Sequence, residues 1–304
     1  MSDPNRIRLG ILDLGHHFWG MSAYERAAHT VVMVQRAEEL GYERYWFSEH
    51  HNPSIAISAP EVILGLVAGK TSRIRIGPGG VLLRYYSPLK VTELYLTLSS
   101  AAGDRVDLGV CYGPGVTNEL LALSYVSGNT LELTRESFEK KVDTLAAFVK
   151  ASAGNGAVGP QPAGVTAPQL WVLGAGSRGA ALAARNQACF GFQCFLKNAD
   201  AYGPGVMAEY KHALRLKSGD PDCSGAIAVS IACGETESIA REMIANQVAR
   251  GGSVPNVSGT PSECHRQIED YAARYAVNTV LLASASTDAQ EQLRQIELMA
   301  MAGA

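Results

Sequence analysis

Short apolar runs alternate along this chain with longer segments of helical period, and this alternation most narrows the folds open to it. A strand followed by a helix, repeated, builds βαβ units on a parallel sheet. Ile7 to Asp13 reads as the first strand. Tyr24 to Leu40, apolar at Ala27, Ala28, Val31, Val32, Val34 and Ala37, reads as the first helix, and Gly41 stops it. Arg44 to Ser48 is the second strand, and Pro60 opens a helix that reaches Lys70. Arg73 to Ile76 and Arg105 to Val110 are strands on either side of a helix from Pro88 to Ala102, and Thr134 caps a helix ending at Lys150. The Gly/Pro/Ala-rich stretch Ala151 to Pro168 reads either as a domain boundary or as a long loop. Beyond it lie strands at Gln169 to Leu173, Cys189 to Phe195, Ala226 to Cys233 and Thr279 to Leu282, with helices between and after them. The count is eight strands with no hairpin signal. This predicts an α/β fold, a (β/α)8 barrel with extra loops, as one domain over residues 1–304; such barrels run to about 250 residues.

Composition removes several other classes. A chain of 304 residues, 47% hydrophobic and 18% charged, buries a large core and is not disordered. A net charge of −3 and a pI near 6.2 supply no basic field for nucleic acid. The apolar stretch Ile7 to Leu14 is too short and interrupted for a signal peptide or membrane span, so a cytoplasmic protein with no membrane partner is expected. Six cysteines, Cys111, Cys189, Cys194, Cys223, Cys233 and Cys264, are scattered without a C-x-x-C pair and read as buried free thiols.

In such a barrel chemistry sits in the loops after the strands. The second strand ends in Glu49, His50 and His51. An imidazole titrating near neutrality serves as general acid or base, and a carboxylate can fix its tautomer. Adjacent histidines in extended chain point in opposite directions, so at most one faces the mouth, and a metal site lacks its third ligand. After the third strand, Gly77-Pro-Gly79-Gly80 leaves backbone bare enough for a flat ring, although a plain tight turn needs no more. Gly174-Ala175-Gly176-Ser177-Arg178-Gly179 follows a strand and opens a helix, where N–H groups can hold a phosphate. A dinucleotide fold also wants an acid ending the next strand; here stand Lys197 and Asn198, with Asp200 beyond. His16, His17 and Trp19 after the first strand, with Tyr85 and Tyr86, make an aromatic rim suited to a planar or apolar substrate, or a packed lid.

Leu12-Asp-Leu14, Gly41-Tyr-Glu-Arg-Tyr-Trp46, Ser48-Glu-His-His-Asn52, Ala59-Pro-Glu61, Thr71-Ser-Arg-Ile-Arg-Ile-Gly77, Gly79-Gly-Val81, Ser87-Pro-Leu89 and Arg105-Val-Asp-Leu-Gly109 together resemble the bacterial luciferase-like flavin monooxygenase superfamily, in particular single-chain members, some of which act in antibiotic biosynthesis. The resemblance implies a TIM barrel that takes reduced FMN from a separate flavin reductase, forms a flavin C4a-peroxide with O2 and oxygenates a small organic or natural-product substrate, often as a homodimer. It implies that His50, with Glu49 beside it, does acid/base work. It places a non-proline cis peptide at Gly79-Gly80 beneath the flavin ring. Where relatives carry an arginine for the FMN phosphate this chain has Tyr112, and where they carry serines it has Ala175 and Gly176. The resemblance therefore implies a weakened phosphate site, with Ser177, Arg178 and the backbone N–H groups as replacements. A flavin-free barrel, either a cofactor-independent enzyme or a binding protein, and a reductase using the deazaflavin F420 are the alternatives.

Overall fold

The computed structural model describes residues 6–113, 134–152, 159–196, 198–216, 223 and 225–301. The strands are β1 (Arg8–Asp13), β2 (Arg44–Phe47), β3 (Arg75–Pro78), β4 (Val81–Leu82), β5 (Asp107–Cys111), β6 (Gln169–Gly174), β7 (Cys189–Gln193), β8 (Ala226–Cys233), β9 (Val257–Gly259) and β10 (Thr279–Ser284). The helices among the described residues are α1 (Ala23–Glu39), α2 (Pro60–Ala68), α3 (Pro88–Ala102), α4 (Arg135–Ser152), α5 (Ser177–Arg185), α6 (Ala199–Leu216), α7 (Glu237–Ala249), α8 (Pro261–Tyr275) and α9 (Ala289–Met301). Their termini follow local chemistry. Ser22 and Glu25 form a capping box on α1, and Gly41 takes a φ of 82° just past its end. The Thr134 hydroxyl accepts from the Ser137 N–H at 3.1 Å at the head of α4.

All ladders are parallel, in the order β3-β2-β1-β10-β8-β7-β6-β5-β4. The two ends meet, because the Ile76 N–H donates to the Arg105 carbonyl at 2.9 Å and Ile76 bridges Val106. β3 and β4 are thus halves of one stave, broken at Gly79-Gly80, and the barrel is nearly closed. The expected eight strands become ten segments among the described residues. The break divides one, and β9, which pairs β8, is three residues long and too brief for a periodic signal. The stretch 151–168 lies between α4 and β6, and since β5 pairs β6 from Asp107↔Gln169 onward, its flanks belong to one sheet.

Glycine allows the closure. A Cβ on Gly77 would lie 2.4 Å from the Asp107 carbonyl oxygen, one on Gly109 2.3 Å from that of Pro78, and one on Gly80 2.7 Å from that of Gly109. Backbones approach here more closely than any side chain permits. Within the barrel Trp46 and Trp171 pack edge to face at 5.1 Å. Asp107, fully buried, accepts from Trp46 Nε1 at 2.8 Å, Arg44 Nη1 at 3.2 Å and Arg75 Nη2 at 2.7 Å. The cysteine expectation is corrected at one pair. Cys189 on β7 and Cys223 just before β8 form a disulfide, brought together because those strands are neighbours, while Cys111, Cys194, Cys233 and Cys264 are free. No helix among the described residues is long and apolar enough to cross a membrane.

Candidate active site

A cavity of about 920 Å³ opens at the C-terminal ends of the strands. It gathers His50, Glu49, Gly79, Gly80, Tyr112, Gly174, Ala175, Gly176, Ser177 and Arg178 around one space, which is the order that strand ends impose on residues far apart in sequence. Leu14, Leu82, Val172, Leu173 and Phe138 supply apolar wall.

The floor is the peptide joining Gly79 to Gly80, which is cis. Neither missing Cβ would point into the cavity: at Gly79 it would meet Leu12 Cδ1 at 2.6 Å and Trp46 Cβ at 3.0 Å, and at Gly80 the backbone of Gly109. The barrel wall behind these residues thus requires glycine in its own right, a constraint that neither the bare surface nor the tight turn expected from sequence includes.

His50 lies against the cavity with Nδ1 buried and without a hydrogen-bond partner among the described residues. Burial holds its imidazole below the ordinary histidine range, and nearby His16 pushes the same way; the Leu14 backbone and Glu49 oppose them. The neutral ring at pH 7 therefore offers a proton acceptor. Glu49 is fully occupied, in contrast to a free carboxylate poised beside His50. Its Oε1 accepts from Tyr86 Oη at 2.5 Å and pairs with His51 Nε2 at 2.8 Å, and its Oε2 accepts from the Leu82 N–H at 2.9 Å. It ties the loop after β2 to β4 across the break in the stave. The hydrogen bond that His51 donates to Glu49 raises the pKa of His51, which points away from the cavity as the alternation of extended chain requires.

The rim residues are corrected in placement. His17 is exposed, Trp19 is 89% exposed beside a separate surface hollow, and Tyr85 is buried with its hydroxyl accepting from Arg84 Nη2 at 2.6 Å. Tyr86 serves Glu49. His16 sits behind His50, in the segment where the Ala56 N–H donates to the Gly15 carbonyl at 2.8 Å. In the loop after β1 it is Phe18, not its neighbours, that turns inward, beneath the Arg26 guanidinium at 4.1 Å.

At the other end α5 begins. Its cap position is Gly176, which supplies no side-chain hydrogen bond; the Gly179 and Ala180 N–H groups donate to the Gly176 carbonyl, and those of Ser177 and Arg178, residues that line the cavity, are left unclaimed among the described residues. Arg178 is drawn away, ion-paired to Glu136 at 3.0 Å and to Glu139. The cation at this end is instead Arg135, which lines the cavity with its guanidinium 4.2 Å above the Tyr112 ring and makes no ion pair among the described residues. Sequence reading passed over Arg135. The signal was present, because a cation at the head of a helix opposes the helix dipole unless an anion lies between. Cys111 also lines the cavity; burial pushes its thiol up to about 12, so it stays protonated. Asp200 is no ribose ligand: it accepts from Arg274, Tyr271 and Tyr275 away from the cavity.

The family profile of luciferase-like monooxygenases matches residues 7–301. The chain belongs to that family. An N-acetyl-S-alkylcysteine monooxygenase of Bacillus subtilis (strain 168) is 30% identical over 308 residues, covering 95% of this chain and 89% of the relative. An uncharacterized protein of the same organism, YceB, is 33% identical over 249 residues, or 79% and 73% of the two chains. Among solved structures, apo-MsnO8 superposes with a TM-score of 0.85 at 25% identity over 98% of each chain. The oxygenating constituent of a 3,6-diketocamphane monooxygenase from Pseudomonas putida, in complex with FMN, has a TM-score of 0.73 at 16% identity over 97% of each chain. An F420-dependent secondary alcohol dehydrogenase, with a TM-score of 0.69 at 14% identity over 98% of this chain and 99% of its own, shares the fold alone. This luciferase-like chain is accordingly an enzyme of the monooxygenase type, an oxidoreductase.

Proposed function

We propose that this enzyme is an FMN-dependent monooxygenase of the two-component kind, acting on a small organic substrate with reduced FMN supplied by a separate reductase. One observation carries the reading. The cavity joins an uncapped helix N-terminus and Arg135, a cation with no ion pair among the described residues, at one end to a glycine floor and an imidazole whose buried Nδ1 has no partner among them at the other. A phosphate on a flat ring has the same sequence of chemistry. Arg135, steadied by the Tyr112 ring, supplies the charge that relatives place at position 112, and the α5 N–H groups supply the donors. Bound there, FMN would supply the redox chemistry that activates oxygen. The chain would hold the ring on Gly79-Gly80, exclude water with its apolar walls, and accept or return a proton at His50 Nδ1.

The test is FMN titration by fluorescence. FMN should bind the wild type, and Arg135→Ala should weaken it by about 1.5–3 kcal/mol, the range for hydrogen bonds to charged groups. Riboflavin, which lacks the phosphate, should bind both proteins alike. If millimolar FMN does not bind the wild type, the flavin reading is wrong; tight binding of F420 in its place would make the enzyme a deazaflavin reductase.

A further inference from the structure

A second polar side chain stands across the cavity from His50. Counted round the barrel, three staves separate β2 from β7 in either direction: β1, β10 and β8 one way, the β3–β4 stave, β5 and β6 the other. Their C-terminal ends are therefore diametrically opposed. Gln193 is the last residue of β7 and lines both the main cavity and a small void beneath Gly79, among Leu173, Gly191, Ala228 and Leu281. It is half-buried, and its carboxamide makes no hydrogen bond to any described residue.

A carboxamide carries two donors and an acceptor. Half-buried and unclaimed by any described residue, it leaves that hydrogen-bonding capacity open to whatever enters the cavity, where a leucine or methionine of similar size would offer none. An amide opposite an imidazole, with Leu173, Gly191, Ala228 and Leu281 around its own end, suits an apolar body that presents a hydrogen-bonding group to it.

We propose that Gln193 is the specificity-determining anchor of this enzyme, holding a carbonyl group of an otherwise apolar substrate at the base of the cavity, opposite His50. The proposal rests on the monooxygenase reading of the same site. The carbonyl edge of a flavin ring has the same chemistry, so the experiment has to separate the two sources.

The probes are acetophenone and ethylbenzene, alike in shape and differing in the carbonyl, titrated calorimetrically with and without saturating FMN. The ratio of their affinities in the wild type should fall about tenfold in Gln193→Leu, the upper end of a neutral hydrogen bond's worth. Gln193→Glu, which removes the donor, should lower acetophenone affinity and leave ethylbenzene unchanged. Gln193→Met replaces the leucine variant should that one fail to fold. FMN affinity should be the same in all folded variants. An unchanged acetophenone-to-ethylbenzene ratio overturns the proposal, as does failure of the wild type to bind either probe at 10 mM, roughly the floor for a single apolar contact with one hydrogen bond. A loss of FMN affinity in Gln193→Leu with the ratio unchanged also overturns it, and assigns the carboxamide to the ring edge. If FMN fails to bind the wild type while the ratio falls as stated, the flavin reading is lost and the anchor stands.

Discussion

His50 and His51 are adjacent, yet their environments make them different bases. Burial lowers the pKa of His50 beneath the ordinary 6.5, whereas the hydrogen bond His51 donates to Glu49 raises that of His51. His50→Ala should leave the fold intact and lower substrate turnover by about two to four orders of magnitude, the usual worth of a general acid/base; wild-type turnover would remove His50 from the chemistry. With His50 neutral as the active form, kcat/KM should fall with pH through a pKa below 6.5, and that limb should vanish in the mutant. The same shift has a stability sign. Between 6.5 and the folded value the unfolded chain takes up a proton that the native ring refuses, so the contribution of His50, present above 6.5, is lost as pH falls through that window. A histidine NMR titration placing His50 above 6.5 would contradict both statements.

The break between β3 and β4 does two jobs at once. It turns a peptide into the cavity floor, and it lets β3–β4 close on β5 through glycines too near each other's backbones for any side chain. Gly80→Ala should therefore act on the barrel before it acts on a ligand. Its Cβ would fall 2.7 Å from the Gly109 carbonyl oxygen, backbone that cannot rotate aside, at a cost of about 1–3 kcal/mol for overpacking. Urea unfolding measures this directly; an unchanged midpoint with lost FMN binding would restore the simpler role of a bare surface. Glu49 belongs to the same element, since it pins Leu82 on the far side of the break to the strand end that carries His50.

At the scale of the whole molecule, the staves that close the barrel come from Arg8 to Ser284, and Trp46 and Trp171 meet in its interior. Residues 1–304 are accordingly expected to unfold as one cooperative unit. Far-UV circular dichroism and tryptophan fluorescence should report a single coincident transition, the fluorescence change coming from the two buried indoles while the exposed Trp19 contributes a constant background. Two resolved transitions would place a domain boundary in the stretch 151–168 after all.

Periodicity, glycine punctuation and the Thr134 cap determined the barrel class, the helix limits at Gly41 and Thr134, and the strand ends that carry His50, Gly79-Gly80 and Gly174 to Arg178. These are local properties, written in the spacing of apolar residues and in which backbone angles a residue tolerates. Only the tertiary structure decided direction and partnership. Phe18 rather than Trp19 turned inward beneath Arg26, Glu49 was consumed by Tyr86 and His51, and Arg178 was taken by Glu136 and Glu139. Arg135 and Gln193, passed over in the sequence, became visible once β5, β7 and α4 were brought to one cavity. A side chain's partner is fixed by residues distant in the chain, and one-dimensional spacing does not carry that distance.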